Sequence, residues 1–138
     1  RPKRRQGRQG RRGERQGEVA SPKYRHRAYA NAGGKADYAM YCSTCHGVNG
    51  QGNDGVIPSL VGNQTVLADD PASLLNVLLY GAETPITQGH IGYRMPGYGW
   101  TLNDQQIAEL VNTLRASWGN EGTAVKAAAV KAQRELHE

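Results

Sequence analysis

Cys42-Ser43-Thr44-Cys45-His46 is the stretch on which this chain turns. Two cysteines separated by two residues and followed at once by histidine form the covalent attachment signal for a c-type haem. One helical turn sets the thiols at the separation of the two porphyrin vinyl groups to which they add. The next side chain, His46, then falls under the iron as its proximal ligand. Two other chemistries use a Cys-x-x-Cys pair. A structural zinc site needs four ligands, and the chain has no third cysteine and no paired histidine motif. A catalytic dithiol sits at a helix start beside a βαβ pattern, and no such pattern surrounds this one. Haem attachment is the reading that lacks no part.

A six-coordinate electron-transfer haem needs a second axial ligand, for which the candidates are Met95 and His90. Met95 heads Met95-Pro96-Gly97-Tyr98-Gly99-Trp100, whose proline and glycines predict a tight, non-helical loop able to hold a thioether against iron. His90 lies in a looser Gln-Gly-His run, so Met95 is the expected ligand. Met40, two residues before Cys42 on the same helix, reads as core filler. His26 and His137 lie in basic or terminal surroundings and read as solvated.

The rest of the chain reads as helices joined by long loops. The first helix runs from about Gly33 to Thr44. Gly47, Gly50, Gly52 and Gly55 mark an irregular loop on the proximal side. Asp70 is a good N-cap with Pro71 at the first helical position, and Leu74, Leu75, Val77, Leu78 and Leu79 make a nearly all-round apolar helix that stops at Gly81. Ala82 to Trp100 reads as a second long loop. Asn103 and Gln106 form a capping box ahead of Ile107, Leu110, Val111, Leu114 and Trp118 at helical spacing. Residues 121–136 read as a further helix bearing Val125, Val130 and Leu136, for docking or for packing.

These residues resemble the class I cytochrome c family over residues 31–120, which implies an all-α fold packed around one covalently bound haem. Gly34 and Tyr38, eight and four residues before Cys42, match the small residue and the aromatic that let the family's first helix cross its last one closely. Tyrosine replaces the usual phenylalanine, and its hydroxyl needs a partner. Pro58 matches the family proline whose carbonyl accepts the proximal histidine's ring N–H, a bond that fixes the tautomer. Leu60 would pack on the haem face, and Tyr98 or Trp100 would lie near the propionates, with Arg94 as a further contact. Trp100-Thr101-Leu102-Asn103-Asp104 and Ser117-Trp118-Gly119-Asn120 are similar to the cytochrome subunits of bacterial membrane-associated dehydrogenases that oxidise alcohols, aldehydes and related substrates.

Composition agrees with a cofactor-dependent core. The apolar fraction is 38% and the aromatic fraction 7%, thin for an ordinary domain of about 90 residues, and a buried haem supplies what is missing. Both cysteines are consumed by the motif. The resemblance implies export to the periplasmic side of a bacterial inner membrane, with any leader removed or the segment cut from a longer chain, and no apolar run is long enough to span a bilayer. Charge is split: residues 1–27 hold 11 of the 17 basic residues against Glu14 and Glu18, a net +9, while residues 28–138 hold 6 basic and 10 acidic groups, a net −4. Residues 1–30 thus read as a disordered basic arm or linker. The arginines of residues 1–27 are not regularly interleaved with aromatics that could stack on bases, Tyr24 being the single one there, so nucleic acid is not the expected partner. Residues 31–120 are the haem domain and 121–138 a helical extension.

The expected function is single-electron transfer, with a dehydrogenase as donor, an oxidase or other respiratory complex as acceptor, and peripheral membrane association through the arm or a partner. A catalytic haem protein with an open or displaceable distal ligand is the alternative. Contact around the haem edge is expected to use Val48, Pro96 and Gly97, because the haem domain lacks a lysine-rich face.

Overall fold

The structure, a computed structural model, describes residues 33–84 and 92–137. The arm of residues 1–30, with His26, and the alternative ligand His90 lie outside the described residues. Among the described residues six helices and one strand pair follow in order: α1 (Gly33–Tyr41), α2 (Ser43–His46), α3 (Gln64–Leu67), α4 (Ala72–Tyr80), β1 (Ala82–Glu83), β2 (Arg94–Met95), α5 (Asp104–Ala116) and α6 (Ala127–Glu135).

Helix α5 is the centre of the packing. Its start is fixed by Asn103, whose side chain accepts from the Gln106 N–H while the Gln106 side chain accepts from the Asn103 N–H, the expected capping box. Ile107, Leu110 and Val111 are fully shielded and Leu114 nearly so. Burial extends beyond that apolar stripe to Asn112, Thr113 and Arg115, because α1 covers one side of α5 and α6 another, with α3 and α4 completing the layer. A Cβ built at Gly34 would overlap the Thr113 hydroxyl and the Glu109 carbonyl, so only glycine lets α1 approach α5 this closely.

Several elements differ from the sequence reading. Helix α1 stops at Tyr41, and a short α2 carries Ser43 to His46. Met40 is not core filler: it is 70% exposed, because the face of α1 that meets α5 is set by Gly34 and Tyr38 and turns Met40 to solvent. Helix α4 begins at Ala72 with Pro71 flanking it, and Asp70 still accepts from the Ala72 N–H at 3.0 Å. Its Leu74, Leu75, Leu78 and Leu79 are buried, while Val77 is half-buried. Trp118 is off the end of α5, at a φ of 55°, and packs edge-on to Tyr38 with ring centroids 5.1 Å apart.

The last helix is also shorter than the 121–136 expected. Val125 belongs to the extended segment before α6, where its N–H donates to Asn112 Oδ1 at 2.8 Å and its carbonyl accepts from Asn112 Nδ2 at 2.9 Å. One buried carboxamide thereby serves as the missing neighbouring strand. Val130 is fully buried against α5 and α4, while Leu136 is exposed. Packing, rather than a free apolar face, accounts for α6.

Replacing Gly34 by valine should destabilise the haem protein by about 1–3 kcal/mol through overpacking. Gly33→Ala meets only the end of the flexible Glu109 side chain and should cost far less. Guanidinium unfolding of both variants checks the contrast.

Candidate haem centre

The attachment motif sits where helical hydrogen bonding runs through a bend. Cys42 N donates to Tyr38 O at 3.0 Å and His46 N to Cys42 O at 2.9 Å, so one turn separates Cys42 from His46 and keeps the two cysteines on it. Cys42 is buried and Cys45 exposed. As a free thiol Cys42 is pushed up to about 11, chiefly by burial and then by the Asp37 and Cys45 charges. A dithiol catalyst works through a thiol held at low pKa, so this environment opposes that chemistry. Among the described residues no three His, Cys, Asp or Glu side chains group to hold a metal ion.

His46 is 8% exposed, and its Nδ1 lies 3.1 Å from the Pro58 carbonyl oxygen. With Nδ1–H donated to that carbonyl, Nε2 carries the free lone pair, the state a metal-ligating imidazole needs. The loop that brings Pro58 there has little regular structure, and its own backbone bonds hold it. Gly52 N donates to His46 O at 2.7 Å, Leu60 N to Gly50 O at 2.7 Å, and Asn53 pairs with Ile57. Asn120 staples the far end: its Nδ2 donates to the Leu60 and Leu114 carbonyls, each at 2.9 Å, and its Oδ1 accepts from Gly62 N at 2.8 Å. Leu60 is buried in the same apolar cluster as Cys42. Tyr38 finds the partner its hydroxyl required, donating to Gly47 O at 2.5 Å.

Met95 lies in an extended strand rather than a tight loop. Ala82 pairs with Met95 and Glu83 with Arg94, antiparallel. Beyond the strand, Tyr98 N donates to Leu78 O at 2.7 Å and Gly99 N to Leu79 O at 3.0 Å. These are carbonyls of the last turn of α4, which has no N–H of its own to offer them. The fit is backbone against backbone, for a Cβ at Gly97 would meet Tyr80 C at 2.6 Å and one at Gly81 would meet Met95 O at 2.5 Å. Met95 itself is half-buried against the apolar cluster.

The two halves meet at Tyr98. Its hydroxyl donates to Tyr41 O at 3.0 Å and the two rings lie 5.2 Å apart, which joins the Met95 segment to the residue before Cys42. Burial raises its pKa. The Tyr98 hydroxyl is thus given to the backbone of α1. Trp100 is fully exposed. Arg94 lies 3.3 Å from Glu83, both well exposed. Val48, Pro96 and Gly97, the expected contact residues, are all exposed.

These residues fit a covalently attached haem: two thiols one turn apart, an imidazole with Nδ1 engaged and Nε2 free, and a thioether on a strand tied to the attachment turn. The sequence profile described as cytochrome c oxidase, cbb3-type, subunit III, matches residues 30–112. The chain belongs to this family of c-type cytochromes. Its cofactor is covalently bound haem c, and its role is electron transfer. The cytochrome is 41% identical over 91 residues to the cytochrome c subunit of a quinone-type alcohol dehydrogenase from Gluconobacter oxydans, covering 65% of this chain and 19% of the relative. It is 37% identical over 93 residues to the gluconate 2-dehydrogenase cytochrome c subunit of Pantoea cypripedii, covering 66% and 21%. Cytochrome c-552 of Thermus thermophilus is 35% identical over 94 residues, covering 64% of this chain and 70% of that protein. The chain therefore spans about a fifth of the length of the two dehydrogenase subunits.

Sequence reasoning named the residues that would touch the haem but missed those that hold the loops. Asn120 was visible only as part of a motif, and Asn112 and Arg134 carried no signal, because their partners, backbone carbonyls and N–H groups and for Arg134 also the Asp104 carboxylate, lie at a distance in the chain.

Tyr38→Phe should cost about 0.5–1.5 kcal/mol at pH 8 by removing the hydroxyl's bond to the Gly47 carbonyl, which keeps only the Gly50 N–H at 3.1 Å. Burial, the larger cause, pushes Tyr38 up toward about 12 against an ordinary 10, and the smaller contribution of a Cys42 charge is absent once that thiol is a thioether. Between those values the unfolded chain loses the phenol proton first, so the stabilisation by Tyr38 falls as pH rises. The deficit of the Phe variant should shrink by about 1 kcal/mol between pH 8 and pH 11, as read by guanidinium unfolding at each pH.

Proposed function

We propose that this cytochrome is the electron-transfer module of an exported bacterial dehydrogenase assembly, with haem bonded to Cys42 and Cys45 and ligated by His46 and Met95. The observation that carries this reading is the Tyr98–Tyr41 link, which ties the strand of Met95 to the turn of Cys42 and His46. The haem supplies a reversible one-electron change at iron. His46 binds through Nε2 with its tautomer set by Pro58, and Met95 offers a thioether, which favours the reduced iron and raises the potential. The chain needs no acid, base or nucleophile for this work. It would hold the macrocycle against the apolar cluster that contains Cys42, Leu60 and Leu78, with Tyr98 packed on it, and keep both ligands in place through the redox change.

The relatives named as dehydrogenase cytochrome subunits support a dehydrogenase as electron donor, and an oxidase or other respiratory complex is the acceptor. Among the described residues no helix is long and apolar enough to cross a membrane. The module works on the periplasmic side, held to the membrane by its partners or by the arm of residues 1–30. It is not an enzyme by itself.

Met95→Ala should abolish the near-infrared band of methionine-ligated ferric haem and open the iron to cyanide and carbon monoxide, while His90→Ala leaves the spectrum unchanged. The opposite pattern would make His90 the ligand. A wild-type iron that already binds carbon monoxide freely would favour the catalytic alternative.

Electron transfer from the donor should be weakly salt-dependent once residues 1–27 are deleted, because the remainder carries a net −4 and the contact uses Val48, Pro96 and Gly97. The full-length protein should show the steeper dependence, since exposed charges are screened beyond about 8 Å at physiological ionic strength. Stopped-flow rates across a salt series check this. A steep dependence that survives the deletion overturns it.

A further inference from the structure

Helix α6 lies beyond the residues that the family profile matches, which end at 112, yet its last turn reaches the turn that follows Met95. Arg134 donates from Nε to Asp104 Oδ1 at 2.6 Å, from Nη1 to Gly99 O at 2.5 Å and from Nη2 to Leu102 O at 2.6 Å. Its side chain is 25% exposed. The two carbonyls belong to the turn that follows Met95, closed by Thr101 N and Leu102 N on Tyr98 O at 3.0 and 2.9 Å. Asp104 opens α5. A single planar guanidinium therefore ties the distal segment to α5 and α6, while the Tyr98 and Gly99 N–H groups tie it to α4.

Besides the Tyr98 and Gly99 bonds to α4 and the Tyr98–Tyr41 link, Met95 is fixed by what stands at the two ends of its strand. The pairing itself is two residues long, and the Arg94–Glu83 ion pair is exposed, which is worth little. On the near side Tyr93 N donates to Thr84 Oγ1 at 2.7 Å, an exposed contact. On the far side stands the Arg134 fork, whose bonds are charge-assisted and part-buried. Lysine cannot reproduce it, because an ammonium is a point charge without the fixed geometry of the fork.

The geometry points to Arg134 as the positioning residue of the distal ligand, holding the Gly99–Leu102 turn so that Met95 stays on the iron; the inference rests on Met95 being that ligand. Loss of the fork leaves two carbonyls and a carboxylate without their donor, and the segment opens more often. Exogenous cyanide reports that opening, since it binds ferric iron only when the thioether has left.

The test is stopped-flow cyanide binding to the ferric haem protein, with the near-infrared methionine band and thermal unfolding recorded alongside. Arg134→Ala and Arg134→Lys should keep the band and bind cyanide about tenfold faster or more, since a charge-assisted bond is worth roughly 1.5–3 kcal/mol. Gln133→Ala is the control: it removes the bond from Gln133 Nε2 to Asn76 Oδ1 on α4, loosening α6 without touching the turn, and should bind cyanide at the wild-type rate. If Arg134→Ala fails to fold, Arg134→Lys carries the test. A wild-type rate in the Arg134 variants, with the band present, overturns the inference alone, as does equal acceleration in Gln133→Ala. A wild-type protein that lacks the band overturns the Met95 assignment and this inference with it.

Discussion

The close crossing of α1 on α5 at Gly34 sets the position of everything that binds the cofactor. Helix α1 has nine residues, too few to hold its shape alone, and the contact with α5 provides the tertiary packing it needs. Tyr38 stands one turn beyond Gly34, where it meets Trp118 on one side and the Gly47 carbonyl on the other. Cys42 stands one turn beyond Tyr38. A shift at the crossing would move the attachment turn by the same amount, and with it His46 and the loop that carries Pro58.

Between the helices, short polar side chains perform the work that ladders do in regular structure. Asn63 caps α3 through the N–H groups of Thr65 and Val66, Asn103 caps α5, Asn112 pairs with the main chain of Val125, and Asn120 joins residues 60–62 to the end of α5. Each such bond contributes about 1 kcal/mol net, but leaving its buried partner unpaired costs more, so the amides specify one arrangement of the loops among many. Arg115 departs from this pattern. Its Nη2 donates to Ala68 O and Thr123 Oγ1, yet Nε and Nη1 are buried without a partner among the described residues. Burial lowers its pKa, with Asp69 acting in the opposite sense.

The sequence made legible those features that rest on local chemistry. The Cys-x-x-Cys-His spacing, the Asn103–Gln106 box and the apolar run of α4 each follow from residues within one or two turns. Gly34, Tyr38 and Pro58 were legible through family likeness, and the structure supplies the contact behind each. What could not be read depends on distant partners. Met40 and Tyr38 look alike as apolar residues of one helix, and only the face chosen by Gly34 separates them. Trp118 keeps helical spacing with Leu114 but leaves the helix, because Ser117 takes an extended conformation. The pairing of Ala82 with Met95 carries no hydrophobic alternation to betray it, both strands being two residues long.

The loop behind His46 and the ribbon that carries Met95 are built to different strengths, and this imposes an order of failure on the molecule. Pro58 is held by a loop whose closing bonds converge on Asn120, a residue 5% exposed. Met95 sits on a ribbon whose other three residues, Ala82, Glu83 and Arg94, face water. Segments with few buried contacts open at lower free energy than the core. Under heat, denaturant or mechanical load the ribbon should open before the loop on the imidazole side, so that, with Met95 as the proposed ligand, the first damaged state would be a largely folded protein with one open coordination position.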